Sequence, residues 1–280
     1  MKLHAIDTGF FKLDGGAMFG VVPKTIWNKT NPADENNMCT WAMRCLLIED
    51  EGRLILVDTG IGNKQDAKFF SYYYLHGDAS LNGSLAALGL KPEDITDVFL
   101  THLHFDHVGG AVVRENGELS LAFKNATYWS NKQHWDWAVN PNEREKASFL
   151  KENILPIAES GQLKFVSTEE GTRFTDNIHV RFAYGHTDAM MLPLINYKGK
   201  QILYMADMLP SVGHISLPYI MAYDMFPLKT LTEKKALLAE IVEKEYILFL
   251  EHDPVNECCT LQQTVVGIRL NETFKLSELL

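Results

Sequence analysis

Thr101-His102-Leu103-His104-Phe105-Asp106-His107-Val108-Gly109-Gly110 sets four potential metal donors close together, directly after the short apolar run Val98, Phe99, Leu100. His102 and His104 are two residues apart, the repeat of an extended chain, so both rings leave the backbone on one side. A turn after them can carry Asp106 and His107 round to a second position. Gly109 and Gly110 would allow close backbone approach or unusual torsions there. Imidazole and carboxylate donors in one cluster suit zinc, iron, manganese or cobalt better than calcium, which favours oxygen ligands. Without an ion, so many polar rings behind a buried strand would each need another partner. Ligation also needs the coordinating nitrogen unprotonated, so affinity should weaken in acid.

The same pattern, a polar residue just beyond a short apolar run, recurs along the chain. Asp58 with Thr59 and Gly60 closes the run 54–57, His186 follows the run 178–182 through Gly185, Asp207 follows 201–205, and His252 follows 247–250. One rim of a folded sheet can gather loops from distant strands, so separation in sequence is no obstacle to a shared site.

The remaining segments read as mixed helix and sheet. Strands are expected at 3–11, 18–22, 41–48, 126–129, 163–166 and 262–270, from alternating or continuous apolar character. Helices are expected at 81–88, with Gly89 as its carboxyl-terminal cap, and over the charged stretch 142–153. A third helix is expected at 231–244, where Leu237, Leu238, Ile241 and Val242 repeat at helical spacing after a capping box formed by Thr230 and Glu233. This mixture indicates an α/β or α+β layered domain. No low-complexity linker interrupts it, so residues 1–280 are expected to form one domain.

The formal net charge of −10 disfavours following a phosphate backbone, and no lysine or arginine stripe offsets it, so no nucleic-acid partner is expected. No apolar segment approaches membrane-spanning length, and the amino terminus lacks a secretory pattern, which points to a cytoplasmic protein. Cys39, Cys45, Cys258 and Cys259 are too few and too irregularly spaced for a disulfide scaffold and read as core thiols. His4, His76, His134, His179 and His214 lie outside the main constellation and are expected in structural or surface roles, with His214 the one that shares the loop after Asp207. Phe19, Met18, Trp27, Phe69, Tyr72, Tyr73, Trp135 and Trp137 are candidates for an apolar wall, against the plainer expectation of core packing.

On the cluster from His102 to His107, with His186 in Gly185-His186-Thr187, then Asp207, His252 and the early Asp58, the chain resembles the metallo-beta-lactamase-fold hydrolase superfamily. The resemblance implies an α/β fold (α+β in some schemes), a four-layer αβ/βα sandwich spanning one hydrolase domain. It assigns His102, His104 and His186 to one divalent ion and Asp106, His107 and His252 to another, with Asp207 bridging and Asp58 orienting a ligand or the nearby loop. Zinc is the first candidate, with iron, manganese or cobalt also accepted by these donors. Asp14 to Gly20 and Leu100 to Gly110 resemble the lactonase and organophosphate-hydrolase branch. The chain departs from that branch at Asp188 and Ala189, where proline and glycine are common, and at Pro210, where quorum-quenching lactonases of one branch carry a tyrosine. Tyr219 and Tyr223 are the candidates to replace it.

Two ions sharing a hydroxide imply a hydrolase acting on a small lactone, ester or phosphotriester, with Asp106 as the nearest proton carrier. Thioester hydrolase, beta-lactamase and nuclease activities are alternatives on the same scaffold, as are a mononuclear iron oxygenase and a nonenzymatic metal-binding module. The expected partner is a small-molecule substrate, and a homodimer is left open beside a monomer.

Overall fold

The computed structural model describes residues 1–279. Its residues group into two compact units: Met1–Gly9 with Met43–Thr172, and Phe10–Ala42 with the chain from Arg173 onward. The strands Lys2–Asp14 and Met38–Asp50 each run from one unit into the other.

One sheet has the strand order Lys2–Asp14, Met38–Asp50, Arg53–Val57, Asp97–Phe99, Thr127–Asn131, Leu163–Val166. From Arg53–Val57 onward its strands are parallel, with Val57 opposite Phe99 and Phe99 opposite Trp129. Parallel strands are normally covered on both faces, which accounts for the buried, unalternating run of Ile55, Leu56 and Val57. Parallel pairing also turns the carboxyl ends of these strands to one edge, and Asp58 and Thr101 follow two of them.

The second sheet has the order Gly267–Phe274, Cys258–Thr264, Ile247–Phe249, Lys200–Tyr204, Met190–Tyr197, Ile178–Ala183. Lys200–Tyr204 and Ile247–Phe249 are parallel, joined through the helix Pro227–Glu243. Ile178–Ala183 is antiparallel to Met190–Tyr197, which is antiparallel to Lys200–Tyr204. Two reversals restore direction, so all three strands that precede His186, Asp207 and His252 end at the same edge of this sheet.

Four local expectations are corrected. Residues 18–22 are not a strand: Gly15–Phe19 is helical, capped by the Asp14 carboxylate accepting from Ala17 N at 2.8 Å, and Gly20 ends it at φ +57°. The stretch 142–153 is helical only from Lys151, because Asn142 Oδ1 accepts from Arg144 N and Glu145 N and holds a turn. Thr230 is not a cap, since the helix begins at Pro227, and the Glu233 carboxylate accepts from Tyr184 N and Gly185 N instead. The run 262–270 is a hairpin, turning between Thr264 and Gly267 with Val265 exposed. The strand Met190–Tyr197, interrupted in pattern by Pro193, was not assigned from sequence.

Candidate metal centre

In the first unit the motif leaves the strand Asp97–Phe99 and turns into the short helix Phe105–Val108, with His102, His104, Asp106 and His107 all buried. Asp58, in the left-handed region at φ +59°, organises the turn. Its carboxylate accepts from Thr101 N at 2.8 Å and Thr101 Oγ1 at 2.6 Å, and lies 3.1 Å from His107 Nδ1. Asp58 thus contacts His107 directly and reaches His102 through Thr101.

For neutral rings the hydrogen-bond partners select the tautomers. Thr101 Oγ1 spends its proton on Asp58, so at 3.1 Å it accepts from His102 Nδ1, which leaves Nε2 of that ring as a lone pair. His104 Nε2 donates to Glu145 Oε1 at 2.9 Å, leaving its Nδ1 as a lone pair. These two lone-pair nitrogens, His102 Nε2 and His104 Nδ1, face each other 3.1 Å apart. Two acceptors so placed repel unless a cation or a proton lies between them. Asp106 Oδ2 lies 3.8 Å from His107 Nε2.

The second unit repeats the logic. His252 Nδ1 donates to Ala42 O at 2.7 Å, and His186 Nδ1 donates to Asp224 Oδ1 at 2.9 Å. The opposite nitrogens then address the two oxygens of Asp207, His186 Nε2 at 3.1 Å from Oδ2 and His252 Nε2 at 2.8 Å from Oδ1. A carboxylate between two imidazoles, one oxygen to each, is the disposition of a bridging ligand. Burial alone would lower the pKa of His186, but the charges of Asp207 and Asp224 outweigh it and push it up to about 10. The acidic groups around His186 thus favour a positive charge there. Donor identity, tautomer and electrostatics all fit divalent metal.

His214 takes no part in ligation. It is buried, stacked on Phe19 at 4.4 Å, and both ring nitrogens are taken: Ser211 Oγ donates to Nδ1 and Nε2 donates to Met18 O, each at 2.9 Å. Burial drives its pKa down to about 3, so it is a neutral structural ring and not a substrate contact. His134 is likewise structural, its Nε2 accepting from Leu103 N. Phe19 and Trp27 stack at 5.2 Å within the second unit and belong to its core. Phe69 and Tyr73, by contrast, pack against Phe105, the neighbour of Asp106, with ring centroids 5.4 and 4.7 Å away. Burial and the Asp106 charge push the Tyr73 hydroxyl up to about 12.

Four supporting groups escaped the sequence reading. Glu145 accepts from His104 and, at 2.6 Å, from Trp137 Nε1, but its segment reads as an ordinary solvated helix. Asp224 had a signal, as a lone acid in the aromatic and apolar run Tyr223 to Phe226. Glu233 and the buried Lys234 lie on a helix whose charged positions look like a wet face.

Fold and donor set define a metal-dependent hydrolase. The model of the metallo-beta-lactamase superfamily matches residues 44–252, and the chain belongs to that superfamily and has its fold. An N-acyl homoserine lactonase of Bacillus cereus is 26% identical over 196 residues, 66% of this chain and 66% of that protein. A probable metal-dependent hydrolase from Staphylococcus aureus matches in structure with a TM-score of 0.86 at 27% identity, over 98% of each chain. AidC, a dizinc quorum-quenching lactonase solved with a product, gives 0.80 at 21% identity, over 98% of this chain and 95% of its own.

Proposed function

We propose that the chain is a dinuclear metal-dependent hydrolase of small lactones, esters or phosphotriesters, with residues 1–280 as a single hydrolase domain. His102, His104 and His186 would hold one ion and Asp106, His107 and His252 the other, with Asp207 shared. The observation that carries this is the pair of facing lone pairs on His102 and His104, matched by the two imidazoles turned on Asp207. The first calls for a cation or a proton between the two nitrogens, and the second sets acidic groups around His186 that favour positive charge. When bound, divalent ions supply Lewis acidity toward a carbonyl or phosphoryl oxygen and a water ionised near neutral pH.

The chain's own groups would do the rest. For a lactone, water adds to the carbonyl carbon, the ring C–O bond breaks, and the departing alkoxide takes a proton to give a hydroxy acid. Asp106 is the carboxylate suited to carry that proton. Phe69, Tyr73 and Phe105 form an aromatic face beside it, which favours a substrate with an apolar arm. The lactonase among the relatives makes acylated lactones the first compounds to assay.

Four buried cysteine thiols support a reducing, cytoplasmic setting, and the lactonases among the relatives support a small-molecule partner. The test is to strip metal from the full chain, reload zinc, manganese, cobalt or iron, count bound ions, and measure turnover of acyl homoserine lactones, aryl esters and phosphotriesters. Two ions per chain with turnover abolished by chelation and restored by reloading is the expected result. Fully loaded protein that hydrolyses none of the three classes would overturn the reading.

A further inference from the structure

The loop that leaves Asp207 returns to His186 before entering the helix Pro227–Glu243. Asp224 Oδ1 accepts from His186 Nδ1 at 2.9 Å, while Met225 N and Phe226 N donate to the carbonyls of His186 and Gly185 at 3.0 and 2.8 Å. The helix grips the same region from the other side. Glu233 accepts from Tyr184 N and Gly185 N, and Gly185 sits so near the helix that a Cβ there would meet Thr230 Oγ1 at 2.2 Å. Lys234, only 2% exposed, donates from Nζ to Ser216 O at 3.0 Å and Tyr219 O at 2.9 Å.

A buried ammonium is expensive, and an apolar side chain of similar length would fill the same space without that cost. Two carbonyls in a loop explain the bonds but not the choice of a charged donor to make them. Those carbonyls lie on the segment whose continuation delivers Asp224. A loop free to shift there would move the carboxylate that sets the His186 ring, and a ligand ring off its axis loses metal affinity.

We propose that Asp224 and Lys234 are positioning residues for metal capture by His186: Asp224 sets its tautomer and ring direction, and Lys234 fastens the loop that presents Asp224. The inference rests on the reading of His186 as a ligand. A carboxylate on Nδ1 keeps a proton there, leaves Nε2, which faces Asp207 Oδ2 at 3.1 Å, as the coordinating atom and makes it more basic. Lys234 acts only through Asp224, so the two should behave as links of one chain and not as separate supports.

The test uses the full chain stripped of metal and titrated with zinc against a chromophoric chelator, with urea unfolding of each metal-free variant to establish that it folds. Asp224→Ala should weaken zinc binding about 10- to 100-fold. Asp224→Asn, whose amide oxygen still accepts from Nδ1, should recover part of the loss. Lys234→Met should give a smaller loss in the same direction, and the double variant Asp224→Ala/Lys234→Met should be no weaker than Asp224→Ala alone, because coupled groups do not add. Unchanged zinc affinity in Asp224→Ala, or additive losses in the double variant, would overturn the inference. Should Lys234→Met not fold, the two Asp224 variants decide it alone. A wild-type chain that takes up no zinc would instead overturn the ligand reading on which the inference stands, so the two failures are told apart.

Discussion

Alanine at Gly109 offers a sharp test of how the motif is built. A Cβ on Gly109 would lie 2.1 Å from Ile61 O, 2.4 Å from Ile61 C and 2.8 Å from Ile61 Cα, and all three are backbone atoms. Side-chain carbons do not settle closer than 3.0 Å, so the Ile61 main chain must retreat by about 0.9 Å. It has little room to do so. Thr59 N and Thr59 Oγ1 donate to His107 O at 2.7 and 2.8 Å, Gly110 N donates to Gly60 O at 2.9 Å, and the buried Lys64 ammonium donates to Gly109 O. Overpacking costs about 1–3 kcal/mol and each weakened buried bond about 1 kcal/mol, so a loss of roughly 2–5 kcal/mol is expected. Urea unfolding of the metal-free protein measures it, with Gly52→Ala as the control. Gly52 has φ +78° and no atom within 4 Å of the position a Cβ would take, so alanine there should cost only the torsional term, about 1 kcal/mol. Since the 58–62 loop also carries Asp58, Gly109→Ala should bind zinc more weakly. If Gly109→Ala unfolds at the same urea concentration as Gly52→Ala, the tight contact has no energetic weight and the reasoning fails.

Glu145→Gln replaces a carboxylate that accepts from His104 on one oxygen and from Trp137 on the other with a side chain that has one oxygen, so either His104 or Trp137 meets an NH2. Zinc affinity should fall about 10- to 100-fold and metal-free stability by about 1–3 kcal/mol, and unchanged affinity in the chelator titration would speak against Glu145 as a support of His104. Tyr73→Ala should raise KM for long-chain acyl substrates more than it changes kcat, whereas equal KM values for short and long chains would remove Tyr73 from the substrate wall. For His214 the folded pKa of about 3 lies below the ordinary value of 6.5, so the unfolded chain binds the extra proton first. Its contribution to stability is full above pH 6.5 and is lost as pH falls toward 3, and the slope of unfolding free energy against pH between these limits should flatten in His214→Gln. An identical slope in that variant would assign the acid sensitivity to other groups.

Much of the candidate centre is legible because potential metal donors announce themselves by type and by place. A histidine two residues from another after a buried strand has few other uses, and the shared edge for His186, Asp207 and His252 follows from short strands ending just before each of them. Pairing was less legible. The strand Met190–Tyr197 escaped notice because Pro193 breaks its pattern, yet the reversal it makes is what brings His186 to the edge occupied by Asp207 and His252. The Gly109 and Gly110 pair was read as allowing either close approach or odd torsions, and only the fold decides for approach, against Ile61 and Thr59.

The groups that orient the ligands were the least legible, for a physical reason. A metal donor is recognisable from its own chemistry, but a supporting carboxylate is defined by what stands opposite. Glu145 is an ordinary glutamate in Asn142-Glu143-Arg144-Glu145 until the Asn142 turn directs it inward to His104 and Trp137. Glu143, two residues earlier, is exposed and pairs with Lys146. The same contrast separates Lys234 from Lys235 on one helix, the first buried under two loop carbonyls and the second exposed. Composition cannot distinguish these neighbours, because the sequence records the side chain while the fold supplies its partner. The proposed metal chemistry would therefore rest on two kinds of residue: donors recognisable by identity, and orienting groups whose role exists only once distant segments have met.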